Sequence, residues 1–255
     1  MKVIVNGSLV PQEQSKCSSL GWLEGAGIFE TIKTVDGKPW ALSRHMRRAV
    51  NSSAKEHIVL PSEELVRQSI ATLLQAEIHS TGLLRVSFDA SGNWAAVHLP
   101  YTEVVSAAKV GIHPDPLVVA GVPVKSYPYT HRLEILEQSR INGFDEALVT
   151  STDGKICEGS VCNVLLKIAG TWCTPPLSDG VLPGVMRALV IENFNVMVRS
   201  IAVTEVADIE SAFLLSSLRI AQPIASINGR ELSQSHEFRD ESSRHSANIF
   251  SIRYT

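Results

Sequence analysis

Short apolar runs and segments with a helical spacing of apolar residues follow one another along the first hundred residues, and this pattern predicts short strands that alternate with helices. KVIVNG and IFETIKTVDGKPWAL are predicted to be strands, and their NG and DG pairs are typical of hairpin turns. The opening MKVIVNGSLVP is predicted to be a β-hairpin rather than a signal peptide, because its apolar run is short and lacks a cleavage site. GLLRVSFDA and WAAVHLPY are predicted to form a second strand pair.

Two segments between these strands have helical spacing instead. LSRHMRRAVNSSAKEH is predicted to be a helix with Ser43 as its N-cap. PSEELVRQSIATLLQAE has a stronger signal, because Ser62 is a good cap and two glutamates occupy the first turn. Its apolar residues repeat at helical spacing and predict a buried face formed by Val66, Ile70, Leu73 and Leu74.

The second half of the chain begins with a proline-rich stretch that is the best candidate for a linker. GIHPDPLVVAGVPVKSYPY contains four prolines between residues 114 and 128. Beyond it, the pattern predicts a helix from about 130 to 142, followed by strands at EALVTS and VCNVLLKIAG. TPPLSDGVLPGVMRALVIE is predicted to be a loop that runs into a helix, and AFLLSSLRIAQPIASING a strand, a turn and a strand. The polar tail from Ser233 is predicted to be a surface segment without chemistry.

Composition narrows the class of partner. The 255 residues carry a formal net charge of −3, which gives no reason to expect binding to nucleic acid or to an anionic membrane. No window holds the ~18 apolar residues that a membrane span needs. The four cysteines form no CxxC pair and no histidine cluster accompanies them, so we expect free thiols and no metal site. A cytoplasmic protein that acts on a small molecule is the resulting expectation.

Three motifs are candidates for binding an anion, and each has an ordinary structural alternative. GVLPGVMRA tightens into a helix start near Val185, where unpaired N–H groups and the helix dipole favour a phosphate. In RHMRRAV, helical spacing places Arg44 and Arg48 on one face. Ser216 and Ser217 end an apolar strand, where a hydroxyl and a backbone N–H are available. A plain proline–glycine helix start, solvated arginines and routine turn serines are the alternatives.

Lys125 and Glu158 are the two charged residues that are the best candidates for a role in catalysis. Lys125 follows the apolar run VVAGVPV, where partial burial favours the neutral, nucleophilic amine. Glu158 precedes GSVCN after a predicted strand, and a carboxylate there is able to hold a protonated pyridine nitrogen. Read singly, the lysine equally fits a side chain that reaches the surface, and the glutamate equally fits a turn. Together with the phosphate motifs they form the set that pyridoxal 5′-phosphate (PLP) requires.

The chain resembles the fold-type IV family of PLP-dependent enzymes, which includes branched-chain and D-amino-acid aminotransferases and 4-amino-4-deoxychorismate lyase. The resemblance extends from about Asn6 to Gly229. Five ordered blocks carry it: GAGIFETIKTVDGKPWALSRHMRR, KSYPYTHRLEILEQSRINGFDEALV, EGSVCNVLL, TPPLSDGVLPGVMR and LLSSLRIAQPI. Within this family the chain is most similar to the lyase members, because Lys125 precedes Asp145 by 20 residues and the helix start reads GVMR. Ala26 replaces the family's aspartate in the first block.

The resemblance implies a role for several residues. Lys125 matches the lysine that forms a Schiff base with PLP and shuttles protons, and Glu158, 33 residues later, matches the partner of the pyridine nitrogen. Asn163 matches the asparagine of the same block as Glu158. Tyr129 is a further candidate, as a donor to the phenolate oxygen of PLP, with a core position as the alternative. The implied phosphate ligands are the Arg48 side chain, the amides of Val185 and Met186, Ser217 and the amide of Leu218.

The sequence constrains the reaction and the substrate pocket less than it constrains the cofactor site. The resemblance implies a lyase that releases pyruvate and 4-aminobenzoate for folate biosynthesis, with a class IV aminotransferase of branched-chain or D-amino acids as the alternative. A non-catalytic PLP-binding protein and a small-molecule-binding domain without PLP are further alternatives, which Ala26 and the unusual SYPY after Lys125 leave open. Phe29, Thr31 and Arg85 are the candidate substrate residues, with a structural cation as the other reading of Arg85.

The family fold implied by this resemblance is α+β, with two domains and PLP between them. We place a small N-terminal domain at 1–114, a linker at 115–124 and a larger C-terminal PLP-binding domain at 125–255. The resemblance also implies a homodimer.

Overall fold

A computed structural model describes residues 1–117 and 121–235 of the chain. The chain divides into two compact units. Among the described residues, the first comprises 1–103 and 124–128, and the second comprises 104–117, 121–123 and 129–235. Lys125 therefore belongs to the first unit, whereas the predicted boundaries placed it in the C-terminal domain. Most of the tail predicted to begin at Ser233 lies outside the described residues.

The first unit is a seven-stranded antiparallel sheet with two helices against it. Its strand order is β2-β1-β6-β5-β3-β4, and β8 pairs with β3. The strands are β1 (Lys2–Val5), β2 (Ser8–Pro11), β3 (Gly27–Val35), β4 (Lys38–Pro39), β5 (Thr81–Asp89), β6 (Trp94–Pro100) and β8 (Ser126–Tyr127). The helices are α1 (Leu42–Glu56) and α2 (Glu63–Ala76). The predicted opening hairpin and the predicted pairing of the second two strands are both confirmed.

The two helix predictions of this unit differ in outcome at the N-cap. Ser62 Oγ accepts a hydrogen bond from the Leu65 N–H, so the predicted cap of α2 is confirmed. Its predicted apolar face, Val66, Ile70, Leu73 and Leu74, is buried against the sheet. The prediction that Ser43 caps α1 is wrong, because α1 already begins at Leu42 and the cap position is Ala41, with φ of 51°. Ser43 lies inside the helix, where its hydroxyl accepts a hydrogen bond from Arg67.

The second unit is a nine-stranded mixed sheet. Its order is β10-β9-β7-β15-β14-β11-β12-β13, and β16 pairs with β15. The strands are β7 (Ala108–Ile112), β9 (Glu146–Thr150), β10 (Ile156–Gly159), β11 (Asn163–Ile168), β12 (Thr171–Thr174), β13 (Val196–Val198), β14 (Ile209–Ser216), β15 (Ile220–Ile227) and β16 (Arg230–Glu231). The helices are α3 (Thr130–Ile141) and α4 (Val185–Asn193). Strand β7 is parallel to both of its neighbours, β9 and β15.

The predicted elements of this unit are present, and additional strands accompany them. The helix at 130–142, the strand at EALVTS, the helix start at Val185 and the final strand–turn–strand are confirmed. The strands β7, β10, β12, β13 and β16 were not predicted. In the part of the chain that the structure describes, every helix is too short or too polar to cross a membrane. The four cysteines are free and buried.

Candidate active site

Lys125 lies at the edge of the first unit's sheet, directly before β8. Its backbone carbonyl accepts a hydrogen bond of 2.9 Å from the Phe29 N–H, which continues the pairing of β8 with β3. Its Nζ atom lies 4.5 Å from the centroid of the Phe29 ring. The side chain is half-buried, as the apolar run before it predicted. The amine is thus held against an aromatic ring.

The three candidate substrate residues share one face of this sheet with Lys125. Thr31 of β3 stands opposite Arg85 of β5 in the strand register. Phe29 is two residues before Thr31, and alternate residues of a strand point to the same side. The structure therefore places Phe29, Thr31 and Arg85 on the face against which the lysine amine lies.

Arg85 is a half-buried cation without an acidic partner in the described part of the chain. Its Nη1 donates to the Leu20 carbonyl at 2.9 Å, and its guanidinium carbon lies 4.2 Å from the centroid of the Trp22 ring. Its Nε is buried and donates no hydrogen bond within the described residues. Burial lowers the pKa of Arg85 to about 10, so the side chain is still charged at neutral pH. A desolvated guanidinium of this kind is well suited to a carboxylate ligand.

Arg48 is fixed by a buried carboxylate on the neighbouring strand. Its Nε donates to Glu30 Oε1 at 2.9 Å and its Nη2 to Glu30 Oε2 at 2.6 Å. Burial, the largest effect, would raise the pKa of Glu30, but the charge and hydrogen bonds of Arg48 and the hydrogen bond of His45 outweigh it and lower the pKa to about 2. Glu30 is therefore ionised, and the Nδ1–H of His45 donates to it at 2.6 Å.

His45 lies within range of the positive charges of both Arg48 and Lys125. Burial, followed by the charges of Arg48 and Lys125, lowers the pKa of His45, while its contact with Glu30 opposes the shift. The ring is therefore neutral at pH 7. The residue predicted to bind the phosphate and the residue predicted to bind PLP covalently thus lie near the same histidine.

Glu158 is the centre of the second unit's part of the site. It lies on β10 and is buried. Its Oε1 accepts from Arg132 Nη2 at 2.8 Å, and its Oε2 accepts from Asn163 Nδ2 at 2.9 Å and from the Leu182 N–H at 3.1 Å. Three donors from three different segments therefore fix the orientation of this carboxylate.

The predicted phosphate-binding helix start is attached to the same cluster. Helix α4 begins at Val185, Gly184 is its N-cap, and Val185 and Met186 are buried in the first turn. A Cβ atom on Gly184 would lie 1.7 Å from Asn163 Oδ1, so only glycine allows this close approach. The structure thus brings Glu158, Asn163 and the amides of the α4 start together.

The β14–β15 turn with Ser217 and Leu218 lies near the start of β11. Asn163 stands opposite Leu215 in the register of β11 and β14. Ser217 follows Leu215 by two residues along the chain. Arg219, in the same turn, forms an ion pair of 3.0 Å with the buried Glu146. This ion pair holds the turn in place beside the strand that begins with Asn163.

Tyr129 lies at the N-terminus of α3, near the Glu158 cluster. Burial, as the largest cause, raises the pKa of its phenol, and the negative charge of Glu158 adds to this, while the charge of Arg132 opposes it. The phenol is therefore a neutral O–H group at neutral pH. It is close enough to Glu158 and Arg132 for their charges to act on it.

Each unit, considered by itself, supplies groups that fit a part of PLP. The first unit supplies an amine and a fixed arginine. The second unit supplies an oriented carboxylate, a helix N-terminus beside a glycine and a turn with a hydroxyl. Arg187 in the first turn of α4 adds a buried Nε that donates no hydrogen bond within the described residues. These groups match the aldehyde, the pyridine nitrogen and the phosphate of the cofactor.

Several contacts of the site were not foreseen from the sequence. Arg132 was read only as part of a helix, and Trp22 and Glu30 were not singled out at all. Arg132 lies 26 residues from its partner Glu158, Trp22 lies 63 residues from Arg85, and Glu30 lies 18 residues from Arg48. Such distances leave no local pattern, although the match of FET to the family block was a signal for Glu30.

Comparison with known proteins gives the family to which this chain is similar. A family model described as amino-transferase class IV matches residues 27–227. The Mycobacterium tuberculosis bifunctional aminodeoxychorismate lyase / D-amino acid transaminase is 23% identical over 247 residues, covering 84% of this chain and 86% of the relative. The aminodeoxychorismate lyase of Bacillus subtilis is 26% identical over 219 residues, covering 75% and 73%.

Solved structures show the same fold. The branched-chain aminotransferase from Thermoproteus uzoniensis has a TM-score of 0.87 at 23% identity, covering 98% of this chain and 95% of that one. The PLP-bound form of a hypothetical aminotransferase from Mycobacterium tuberculosis has a TM-score of 0.81 at 17% identity, covering 99% and 100%. These likenesses confirm the predicted α+β fold.

Proposed function

The chain belongs to the amino-transferase class IV family, and from this premise we propose that it is a 4-amino-4-deoxychorismate lyase, which releases pyruvate and leaves 4-aminobenzoate. Enzymes of this family depend on PLP, so the chain is a PLP-dependent enzyme that acts on a small amino compound. The reaction and the role of each residue are the content of the proposal.

Six groups would hold the cofactor. Lys125 would bind its aldehyde through the ε-amine, and Glu158 would face the pyridine nitrogen. The phosphate ligands would be Arg48, the amides of Val185 and Met186, and the β14–β15 turn with Ser217 and Leu218, while Tyr129 would donate to the phenolate oxygen. PLP, when bound, supplies an electron sink for the charge that develops as a bond to the amino-bearing carbon breaks.

The protein's own part in the reaction is to move protons and orient the substrate. The amino group of the substrate would displace Lys125 from the cofactor, and the freed Lys125 amine, held beside Phe29, would take the proton from the amino-bearing ring carbon. The carbon–oxygen bond to the enolpyruvyl group then breaks, and the released enolpyruvate takes up a proton to become pyruvate. Because both steps need a fixed ring orientation, the pocket wall decides the outcome.

The face shared by Phe29, Thr31, Arg85 and Lys125 is the observation that carries the lyase proposal. A flat ring would lie against Phe29 and Trp22, whose rings form an edge-to-face pair with centroids 4.8 Å apart. Arg85, which lacks an acidic partner in the described chain, would bind a substrate carboxylate. Thr31 offers a hydroxyl across the strand register from Arg85. A carboxylated ring uses all of these features, and an aliphatic side chain uses fewer.

Amino transfer is the second candidate, because one relative combines the two activities in its name. The Mycobacterium tuberculosis protein is a bifunctional lyase and D-amino acid transaminase, and its match covers 84% of this chain. Proton removal at the amino-bearing carbon is common to both reactions. The same lysine and carboxylate would therefore serve either one.

A product assay separates these candidates. The purified protein, loaded with PLP, is supplied with 4-amino-4-deoxychorismate, and pyruvate and 4-aminobenzoate are measured; in parallel it is supplied with leucine, glutamate or D-alanine and a keto acid. We expect both lyase products in equal amounts, and loss of both in the Lys125→Ala variant. Keto-acid formation without pyruvate would replace the lyase proposal with amino transfer. Absence of all products, with PLP bound, would indicate a non-catalytic PLP-binding protein.

A further inference from the structure

Arg132 is the cation that the structure places directly on the Glu158 carboxylate. Its Nη2 donates to Glu158 Oε1 at 2.8 Å, and its Nη1 donates to the adjacent Gly159 carbonyl at 3.4 Å. The two side chains are 15% and 5% exposed, respectively. A pair this well buried is weakly screened by solvent, so the positive charge acts strongly on the carboxylate.

Arg132 occupies an unfavourable position in its own helix, so the stability of the helix does not explain why an arginine is there. Arg132 is the third residue of α3, which begins at Thr130. A cation in the first turn opposes the helix dipole, which favours acidic residues there. The contact with Glu158 is the feature that offsets this unfavourable placement.

The described hydrogen bonds to the other carboxylate oxygen of Glu158 come from neutral groups, Asn163 Nδ2 and the Leu182 N–H. Arg187 of α4 acts on Glu158 electrostatically, and Tyr129, Cys157 and Cys162 lie within range of its charge. Tyr129, Cys157 and Cys162 each have a raised pKa, chiefly through burial, so all three are neutral at pH 7.

We propose that Arg132 is a positioning residue that keeps Glu158 ionised and thereby keeps the proton on the pyridine nitrogen of bound PLP. This inference rests on the proposed function, in which Glu158 faces that nitrogen. A proton shared between the carboxylate and the ring can reside on either one. Because Arg132 contacts the carboxylate directly, it stabilises the negative oxygen more than it repels the protonated ring, which is farther away. The charge of Arg132 therefore moves the proton to the ring.

The test reads the ring nitrogen itself rather than turnover. The protein is reconstituted with PLP carrying ¹⁵N in the ring, and the ¹⁵N chemical shift is followed with pH in the unchanged protein and in R132Q. Glutamine retains an N–H donor but removes the charge. We expect a protonated ring nitrogen in the unchanged protein, and in R132Q a midpoint of deprotonation lowered by about one pH unit or more.

Matched variants separate charge from structure. R132K keeps a cation and should restore the protonated signal, and R140Q changes an exposed arginine of the same helix and should leave the signal unchanged. If R132Q loses its secondary structure by circular dichroism, R132A serves instead, because the space left by the shorter side chain admits water, which solvates the carboxylate that has lost its partner.

Two outcomes would overturn the inference. One leaves the proposed function in place, and the other overturns the proposed function as well. If the unchanged protein binds PLP and its charge-free Arg132 variants show the same ¹⁵N midpoint, Arg132 has no such role and the proposed function stands. If the unchanged protein takes up no PLP, the proposed function fails together with the inference.

Discussion

Buried charges in this protein are matched by fixed partners that come from other segments. Glu30 is held by Arg48 and His45, Glu158 by Arg132, and Glu146 by Arg219. Removing one partner of such a pair costs more than the pair itself contributes, because a charge is left in a medium of low polarity. Arg85 is the exception among these residues, since its described contacts are a carbonyl and an aromatic ring.

Glu30 gives the protein a specific sensitivity to acid. Its pKa is lowered to about 2 in the folded protein, whereas an unfolded glutamate titrates near 4.5. A depressed pKa stabilises the folded state above the unfolded pKa, and this stabilisation is lost as the pH falls towards 2. We expect it to be worth about 3 kcal/mol above pH 5. Urea unfolding between pH 5 and pH 2 should show this loss in the unchanged protein.

The matching control for this prediction is E30Q, which lacks the titrating group and should show a flatter dependence on pH. E24Q alters an exposed carboxylate of the same unit and should follow the unchanged protein. Equal pH slopes for E30Q and the unchanged protein would contradict the prediction.

Arg85 should determine how well a carboxylated substrate binds. R85Q is expected to raise KM for such a substrate at least tenfold, with a smaller change in kcat, because a charge-assisted contact is lost in binding. Steady-state kinetics would measure this. R67Q, a change of a surface arginine paired with Glu63 on α2, is the control and should leave KM unchanged. A normal KM in R85Q would show that Arg85 is a structural cation.

At the scale of elements, helix α4 depends on a glycine for its place beside β11. In G184A the added methyl group would meet Asn163, which in turn holds Glu158. We expect PLP affinity to fall at least tenfold, because both the helix start and the carboxylate must move. Titration of the protein with PLP, followed by absorbance, would measure the affinity.

Gly111 provides a comparison for this variant. An alanine there would meet the ring of Phe144, away from the Glu158 contacts, and should lower stability without a matching loss of PLP affinity. If G184A and G111A bound PLP equally well, the close approach at Gly184 would have no role in the site.

Sequence patterns predicted the elements whose signals are local. The α2 face and its Ser62 cap follow from residues within one segment, as does the helix start at Val185. Strand β7 was missed because it lies beside the proline-rich stretch and is buried between parallel neighbours, so it lacks alternation. Ser43 was misassigned because the tight turn through Ala41 starts α1 two residues earlier than a Ser43 cap would. The Arg132 and Trp22 contacts depend on tertiary structure alone.

At the scale of the whole molecule, the family is established while the assembly remains a prediction. The family model spans residues 27–227, which include parts of both units. The family resemblance implies a homodimer. Light scattering at micromolar concentration is expected to give twice the mass of the chain, and a mass equal to one chain would contradict that expectation.

The central claim is that PLP is bound covalently by Lys125, and borohydride reduction followed by peptide mass mapping tests it most directly. Reduction of the PLP-loaded protein should leave a stable cofactor adduct on the peptide that contains Lys125. The adduct should be absent in K125A and present in K109A, a change of an exposed lysine in the other unit. An adduct on a different lysine, or an unchanged amount of adduct in K125A, would contradict the account.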